Sequence, residues 1–140
     1  MDKHFEIIER MPTVEEYQRL RQSVDWHTLA PEQIAVGLKH SLFSVTALHQ
    51  NQAIGCGRIV GDSQIYFYIH DVIVMPPFQG QGLGRLIMDK LMNYINLAAP
   101  AGAFIGLMAS APRLEQFYGH YGFKRRADEM PFMEMWNNGH

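Results

Sequence analysis

The chain predicts an α/β fold built on a mixed, mostly antiparallel sheet flanked by helices. Three observations point there. Short β-branched and aromatic runs crowd residues 43–75, helical periodicities lie on both sides of them, and one further apolar run follows the longest helical segment. The element order reads strand, two helices, three strands, helix, strand, helix, then a closing strand or two.

Each element follows from local chemistry. F-E-I-I at residues 5–8 is a short β-favouring run. Pro12-Thr13 then introduces V-E-E-Y-Q-R-L-R, with Thr13 as cap and Glu16 three residues on, the spacing of a capping box. Ala30-Pro31-Glu32 opens a second helix, with Ile34, Leu38 and Ala35 expected on its inner side. S-V-T-A-L-H and A-I-G-C-G-R-I-V form a strand pair around a turn at Gln50 and Asn51. A second turn at Gly61-Asp62-Ser63 leads into I-Y-F-Y-I-H-D-V-I-V-M, the longest β-favouring run, which Pro76-Pro77 ends.

Leu83, Leu86, Ile87, Leu91, Tyr94 and Ile95 then mark one face of a helix, stopped by Pro100-Ala101-Gly102. A-F-I-G-L-M-A reads as a buried strand, and P-R-L-E-Q-F-Y-G-H as a short helix begun by Pro112. Residues 123–126 and 132–136 are expected to close the sheet as strands.

With 140 residues the chain is expected to be one domain, residues 1–140. A net charge of −2 offers no electrostatic case for nucleic acid or an anionic membrane. The single cysteine, Cys56, allows no internal disulfide and fits a reducing compartment. The N-terminus M-D-K-H-F-E carries no leader-like apolar run, so the expected location is cytoplasmic. His27, His40 and His49 stand at no metal-ligand spacing, and no metal is expected.

The chemical signal is M-P-P-F-Q-G-Q-G-L-G-R-L at residues 75–86. Three alternating glycines precede a helix they would weaken. Bare backbone at a helix N-terminus exposes unpaired N–H groups at the positive end of the dipole, which suits a phosphate. The plain alternative is a tight turn needing positive φ. A dinucleotide fingerprint fails, because Arg85 or Ile87 falls where its third glycine belongs. A phosphate loop of the G-K-[ST] type fails as well.

What fits is Gln79-x-x-Gly82-x-Gly84. This resembles the Gln/Arg-x-x-Gly-x-Gly/Ala motif of the GCN5-related N-acetyltransferase (GNAT) superfamily, which cradles the pyrophosphate of acetyl-CoA. The preceding V-I-V-M-P-P is similar to the family's hydrophobic strand. F-Y-G-H-Y-G-F at residues 117–123 is similar to its late F-Y-x-x-x-G-F. The element order matches over nearly the whole chain.

The resemblance implies a bulged fourth strand, a splayed fifth strand, and direct transfer of an acetyl group from acetyl-CoA to a primary amine. It implies a pyrophosphate shell of Gln79, Gly80, Gln81, Gly82, Leu83, Gly84 and Arg85, and pantetheine contacts to the backbone near Val72, Ile73 and Val74. It implies Tyr118 as the acid that protonates the leaving thiolate, with Tyr121 in a variable slot of the motif. His70 falls where the arylalkylamine branch of the family has a histidine, and a group near pKa 6.5 suits deprotonation at neutral pH. Asp71 is an alternative base or a structural acceptor, and a water chain is a third route. Where many relatives carry a pantetheine-binding asparagine, this chain reads M-A-S-A-P-R, leaving Ser110 or a backbone group for that contact.

Trp26, Tyr66, Phe67, Tyr68, Met130, Met133 and Met135 fall in regions that build the acceptor site in this family. They read either as an apolar wall for a small aromatic or apolar amine or as core. Cys56 reads as buried. A protein or peptide amine is the alternative acceptor, a non-catalytic acetyl-CoA sensor is the alternative function, and a homodimer is open.

Overall fold

The computed structural model describes residues 4–126, 129 and 132–137. They fall into two compact units, a larger one within Met1–Met108 and a smaller one within Ala109–His140.

The larger unit runs β1 (Glu6–Ile8), α1 (Val14–Ser23), α2 (Pro31–Lys39), β2 (Phe43–His49), β3 (Gln52–Gly61), β4 (Tyr66–Val74), a 3-10 turn (Pro76–Phe78), α3 (Leu83–Ala98) and β5 (Phe104–Gly106). The five strands lie in sequence order in one sheet. β1 to β4 pair antiparallel, and β5 joins β4 in parallel after the α3 crossover. The predicted mixed, mostly antiparallel sheet flanked by helices is what forms.

Local sequence signals act at the expected positions. Thr13 accepts from the Glu16 N–H while the Glu16 carboxylate accepts from the Thr13 N–H, a complete capping box. Arg10 locks that Glu16 side chain from outside at 2.8 Å. Gln50 and Asn51 both take positive φ, 51° and 65°, as a two-residue turn matched to strand twist requires.

Neighbouring residues on a strand point to opposite faces, so β3 serves both layers of the core. Cys56 packs with Leu20 of α1 and Ile73 of β4 on one side. Gly57 faces the other side, where α3 lies: a Cβ there would stand 2.8 Å from Ile87 Cγ2 and 3.0 Å from Leu91 Cδ1. The missing side chain lets α3 settle directly on the sheet. Tyr94 of α3 stacks on Phe43 of β2 with ring centroids 4.7 Å apart. A second cluster of Tyr17, Ile34 and Leu38 joins α1 to α2.

Several expectations are corrected. Leu86 is exposed and Met88 is buried, because the stripe runs through Leu83, Ile87, Met88, Leu91 and Ile95 and leaves Leu86 on its flank. Ala35 is exposed, since α2 meets the core through Ile34 and Leu38. β5 is three residues long, shorter than its apolar run.

The smaller unit contains α4 (Pro112–Gly119), started by Pro112 as expected. Residues 123–126 and 132–136 form no strand. β-favouring residues make a strand only against a hydrogen-bonding partner, and these have no ladder among the described residues. Arg125 instead pairs with Glu115 through two contacts of 3.0 Å, and the Phe123 N–H donates to the Tyr118 carbonyl.

Gly57→Ala is expected to destabilise the fold by about 1–3 kcal/mol, the usual cost of overpacking. Urea unfolding would measure it; an unchanged midpoint would mean α3 is free to move off the sheet.

Candidate active site

Two departures from a regular sheet build the site. The first is a bulge in β4. Cys56 pairs with Ile73 and Arg58 with His70, so two steps along β3 are matched by three along β4. Asp71 absorbs the difference with φ of +56°, a left-handed conformation that Asp tolerates better than most residues. Simple alternation would send His70 and Asp71 to opposite faces. Their partners lie on one face instead: His70 is opposite Arg58, and the Asp71 carboxylate reaches Tyr17 of α1.

The second departure is a parting of strands. β5 pairs with Tyr66, Phe67 and Tyr68, and there its ladder ends, while β4 continues to Val74. Among the described residues, 69–74 therefore have no ladder on the β5 side, and that edge of β4 is left open. The Ile73 side chain is buried in the α1 core, whereas Val72 and Val74 are half-buried. The bulged fourth strand and splayed fifth strand are both present.

The glycine stretch lies at the end of that open edge. Gly80 and Gly82 take φ of +78° and +83°, so bare residues are needed at both. A Cβ at either would meet nothing within 4 Å, which makes backbone conformation rather than crowding the reason for glycine. Gly82 is the N-cap of α3 and brings no side chain to cap the first-turn amides. No acidic residue stands in that turn to compete for them. Leu83, Gly84 and Arg85 thus begin α3 at an uncapped, electropositive end.

The two glutamines brace the loop. Gln79 Nε2 donates to the Val74 carbonyl at 2.8 Å and Gln81 Nε2 to that of Pro77 at 3.4 Å. Phe78 packs against Phe5 and His49, with ring centroids 6.2 and 5.3 Å away, pinning the turn before Gln79.

His70 is exposed, and its ring lies 4.7 Å from that of Tyr68. Desolvation holds its pKa below the ordinary histidine value, with Asp71 opposing that shift and Arg58 reinforcing it. Asp71 is buried. Its Oδ2 accepts from Arg58 Nε at 2.7 Å and from the Tyr17 hydroxyl at 2.8 Å. Burial, followed by the Asp71 charge, pushes the Tyr17 hydroxyl up to about 12. Cys56 is buried, donates to the Asp71 carbonyl at 3.2 Å, and has its thiol pKa driven upward by desolvation.

Tyr118 and Ser110 belong to the smaller unit. Tyr118 is buried on α4 with its ring edge-on to Phe117 at 5.1 Å, and burial raises its hydroxyl pKa. Ser110 is exposed. Among the acceptor-wall residues, Phe67 is core and Trp26 packs against the Leu20 cluster. Tyr66, Met133 and Met135 are exposed, and Met130 lies outside the described residues. Among the described residues no group of three or more His, Cys, Asp or Glu is placed to hold a metal.

Tyr17, Arg21 and Arg58 join the site without belonging to any motif in the sequence. A signal existed for one of them. Arg58 is the only charge in A-I-G-C-G-R-I-V, Asp71 is the only acid in the apolar run of the next strand, and adjoining strands bring such a pair together.

Residues 13–135 match the family described as acetyltransferase (GNAT) domain. An uncharacterized N-acetyltransferase of Porphyra purpurea is 30% identical over 117 residues, covering 81% of this chain and 66% of its own length. A histone acetyltransferase of Glycine max is 32% identical over 123 residues, covering 79% of this chain and 52% of its own. The chain thus spans between about half and two thirds of these curated relatives. Among solved structures, a probable acetyltransferase of unknown function from meticillin-resistant Staphylococcus aureus superposes with a TM-score of 0.89 at 29% identity, covering 96% of this chain and 100% of that one. A GNAT-family acetyltransferase from Streptococcus pneumoniae gives 0.78 at 25%, covering 98% and 100%. A match running from Thr13 to Met135, on a fold shared over nearly the whole length, places the assignment beyond the motifs alone: the chain belongs to the GNAT acetyltransferase family.

Proposed function

We propose that this chain is an acetyl-CoA-dependent N-acetyltransferase that moves the acetyl group directly to a primary amine of a small molecule. The observation that carries this reading is the open edge of β4 running straight into an uncapped α3 N-terminus through two left-handed glycines. Those residues fit a pyrophosphate: the space above Gly80 and Gly82 is clear, and the α3 first turn carries no negative charge. Gln79, Gly80, Gln81, Gly82, Leu83, Gly84 and Arg85 form the shell, mostly through backbone amides, with the thioester arm along Val72, Ile73 and Val74.

The reaction makes three demands. An alkylamine, with a pKa near about 10.4, must lose a proton to attack. His70 takes it, directly or through one water, because its lowered pKa keeps the ring neutral at pH 7. The amine nitrogen then bonds to the thioester carbon, and a backbone N–H near Val74 stabilises the oxyanion. As the C–S bond breaks, the thiolate takes a proton from Tyr118, a role resting on the F-Y-x-x-x-G-F motif, while the nitrogen sheds its second proton to water, which reprotonates the Tyr118 phenolate. Ser110 stands in for the family's asparagine. Asp71 is assigned the acceptor role, since Arg58 and Tyr17 already occupy its carboxylate.

A protein amine is the second reading, favoured by the Glycine max relative, which is called a histone acetyltransferase. Thiol release measured against a panel of small amines and lysine peptides tests both. Turnover only with peptides would replace the first reading by the second, and binding without turnover on any amine would leave a sensor.

Tyr118→Phe is expected to lower kcat by about 10²-fold or more, the low end for a general acid, with unchanged acetyl-CoA affinity by calorimetry. Lost affinity would remove Tyr118 from the acid role. Gly82→Ala forces a Cβ onto a left-handed residue at about 1–2 kcal/mol, so the KM for acetyl-CoA should rise roughly 5- to 30-fold. The kcat profile should fall on acidification through a pKa below about 6.5 as His70 gains its proton, and stay flat just above. The same acidic limb surviving in His70→Gln would transfer the base role elsewhere.

A further inference from the structure

The β4 bulge is held by a continuous chain of side chains that the chemistry above does not use. Asp71 Oδ2 receives Arg58 Nε and the Tyr17 hydroxyl. Arg58 Nη1 also donates to Ser41 Oγ at 3.0 Å and to the Gly37 carbonyl at 3.4 Å. The Tyr17 hydroxyl in turn accepts from Arg21 Nη1 at 3.3 Å. Arg21 grips the His27 carbonyl through Nε at 3.1 Å and Nη2 at 3.0 Å, and its guanidinium lies over the rings of Tyr17 and Trp26. The chain runs from the loop after α1, through α1, the bulge and β3, to the loop after α2.

Its centre is one residue from the working edge. Val72, Ile73 and Val74 follow Asp71 directly; Val72 shares the bulge with it, Ile73 and Val74 pair with β3, and none of the three pairs with β5. A bulge residue in a left-handed conformation, flanking an edge paired on one side, needs an outside restraint to keep one geometry. The buried carboxylate provides one.

We propose that Tyr17, Arg58 and Asp71 are positioning residues that fix the β4 bulge and so aim the Val72, Ile73 and Val74 backbone at the thioester arm of acetyl-CoA, with Arg21 tying that edge to the loop after α1. In this arrangement the four act through that backbone rather than on the thioester itself. The inference rests on the acetyl-transfer reading and adds a second consequence. The loop between α1 and α2 and the cofactor edge share one restraint, so disturbing either is felt at the other.

The variants are Tyr17→Phe, Asp71→Asn and Asp71→Ala. Tyr17→Phe deletes only a hydroxyl. Asp71→Asn keeps a residue that tolerates positive φ and an acceptor oxygen, while Asp71→Ala loses both. Below their melting temperatures, Tyr17→Phe and Asp71→Ala should lose about tenfold or more in kcat/KM for acetyl-CoA, toward the ~10²-fold typical of a misplaced site. Asp71→Asn should recover part of that loss. It should also keep an acidic limb in the kcat profile, displaced to lower pH because the charge that raises the His70 pKa is gone. A missing limb would make Asp71 the base. If Asp71→Ala does not fold, Tyr17→Phe still decides. Kinetic constants within about twofold of the parent, whether or not the melting temperature drops, would overturn the proposal. A readout free of cofactor separates its failure from that of the acetyl-transfer reading. In the apo protein, the amide resonances of Val72, Ile73, Val74 and Gln79 should move in Tyr17→Phe, and changes confined to α1 would sink the clamp even if no amine is ever acetylated.

Discussion

A carboxylate taken out of water must be matched by charge and hydrogen bonds, and the Asp71 carboxylate is the point where this fold meets that demand. Arg58 supplies the charge from the neighbouring strand and Tyr17 the second donor from α1, both within 2.8 Å. Removing one partner from such a pair typically costs about 3–5 kcal/mol, because the other is left buried and unpaired. The same pair occupies the one place where β4 leaves regular geometry. The sheet can therefore carry a bulge beside an edge with no ladder to β5 without that edge closing up or sliding in register.

From that restraint the rest of the site follows in order. The bulge brings His70 and Asp71 to one face in different surroundings: the imidazole is exposed, and the carboxylate is buried against Arg58 and Tyr17. Arg58 acts on both, binding Asp71 directly and adding to the effects that keep His70 neutral. Downstream, the strand is extended through Val74, whose carbonyl is held by Gln79, so the edge and the glycine loop form one braced surface.

Much of this was legible in the sequence, and the boundary has a physical cause. Elements governed by local chemistry form where the sequence places them: the Thr13 capping box, the Gln50-Asn51 turn and the Pro31 and Pro112 helix starts all depend on residues a few positions apart. Features that depend on long-range partners do not. The apolar stripe of α3 was misplaced by Leu86 and Met88 because the sheet, not the helix, decides which flank is covered. Residues 132–136 have strand-like sequence and form no strand, because pairing is a property of two segments. Asp71 stands out as the one acid in an apolar run, but Tyr17 lies 54 positions away and nothing local announces their contact.

The same distinction explains why the cosubstrate is easier to read than the acceptor. The backbone cradle proposed for a pyrophosphate is a local feature, a helix start preceded by residues of positive φ, and the chain carries it as Gly80 and Gly82. An amine acceptor is recognised by side chains that converge from separate elements, and their types are those of any core. Phe67 and Tyr68 are neighbours in one aromatic run, yet Phe67 is wholly buried while Tyr68 faces its neighbour His70 across 4.7 Å. Only the pleat tells them apart. Recognition by bare backbone leaves a trace in the spacing of glycines, whereas recognition by assembled side chains leaves its trace in the fold.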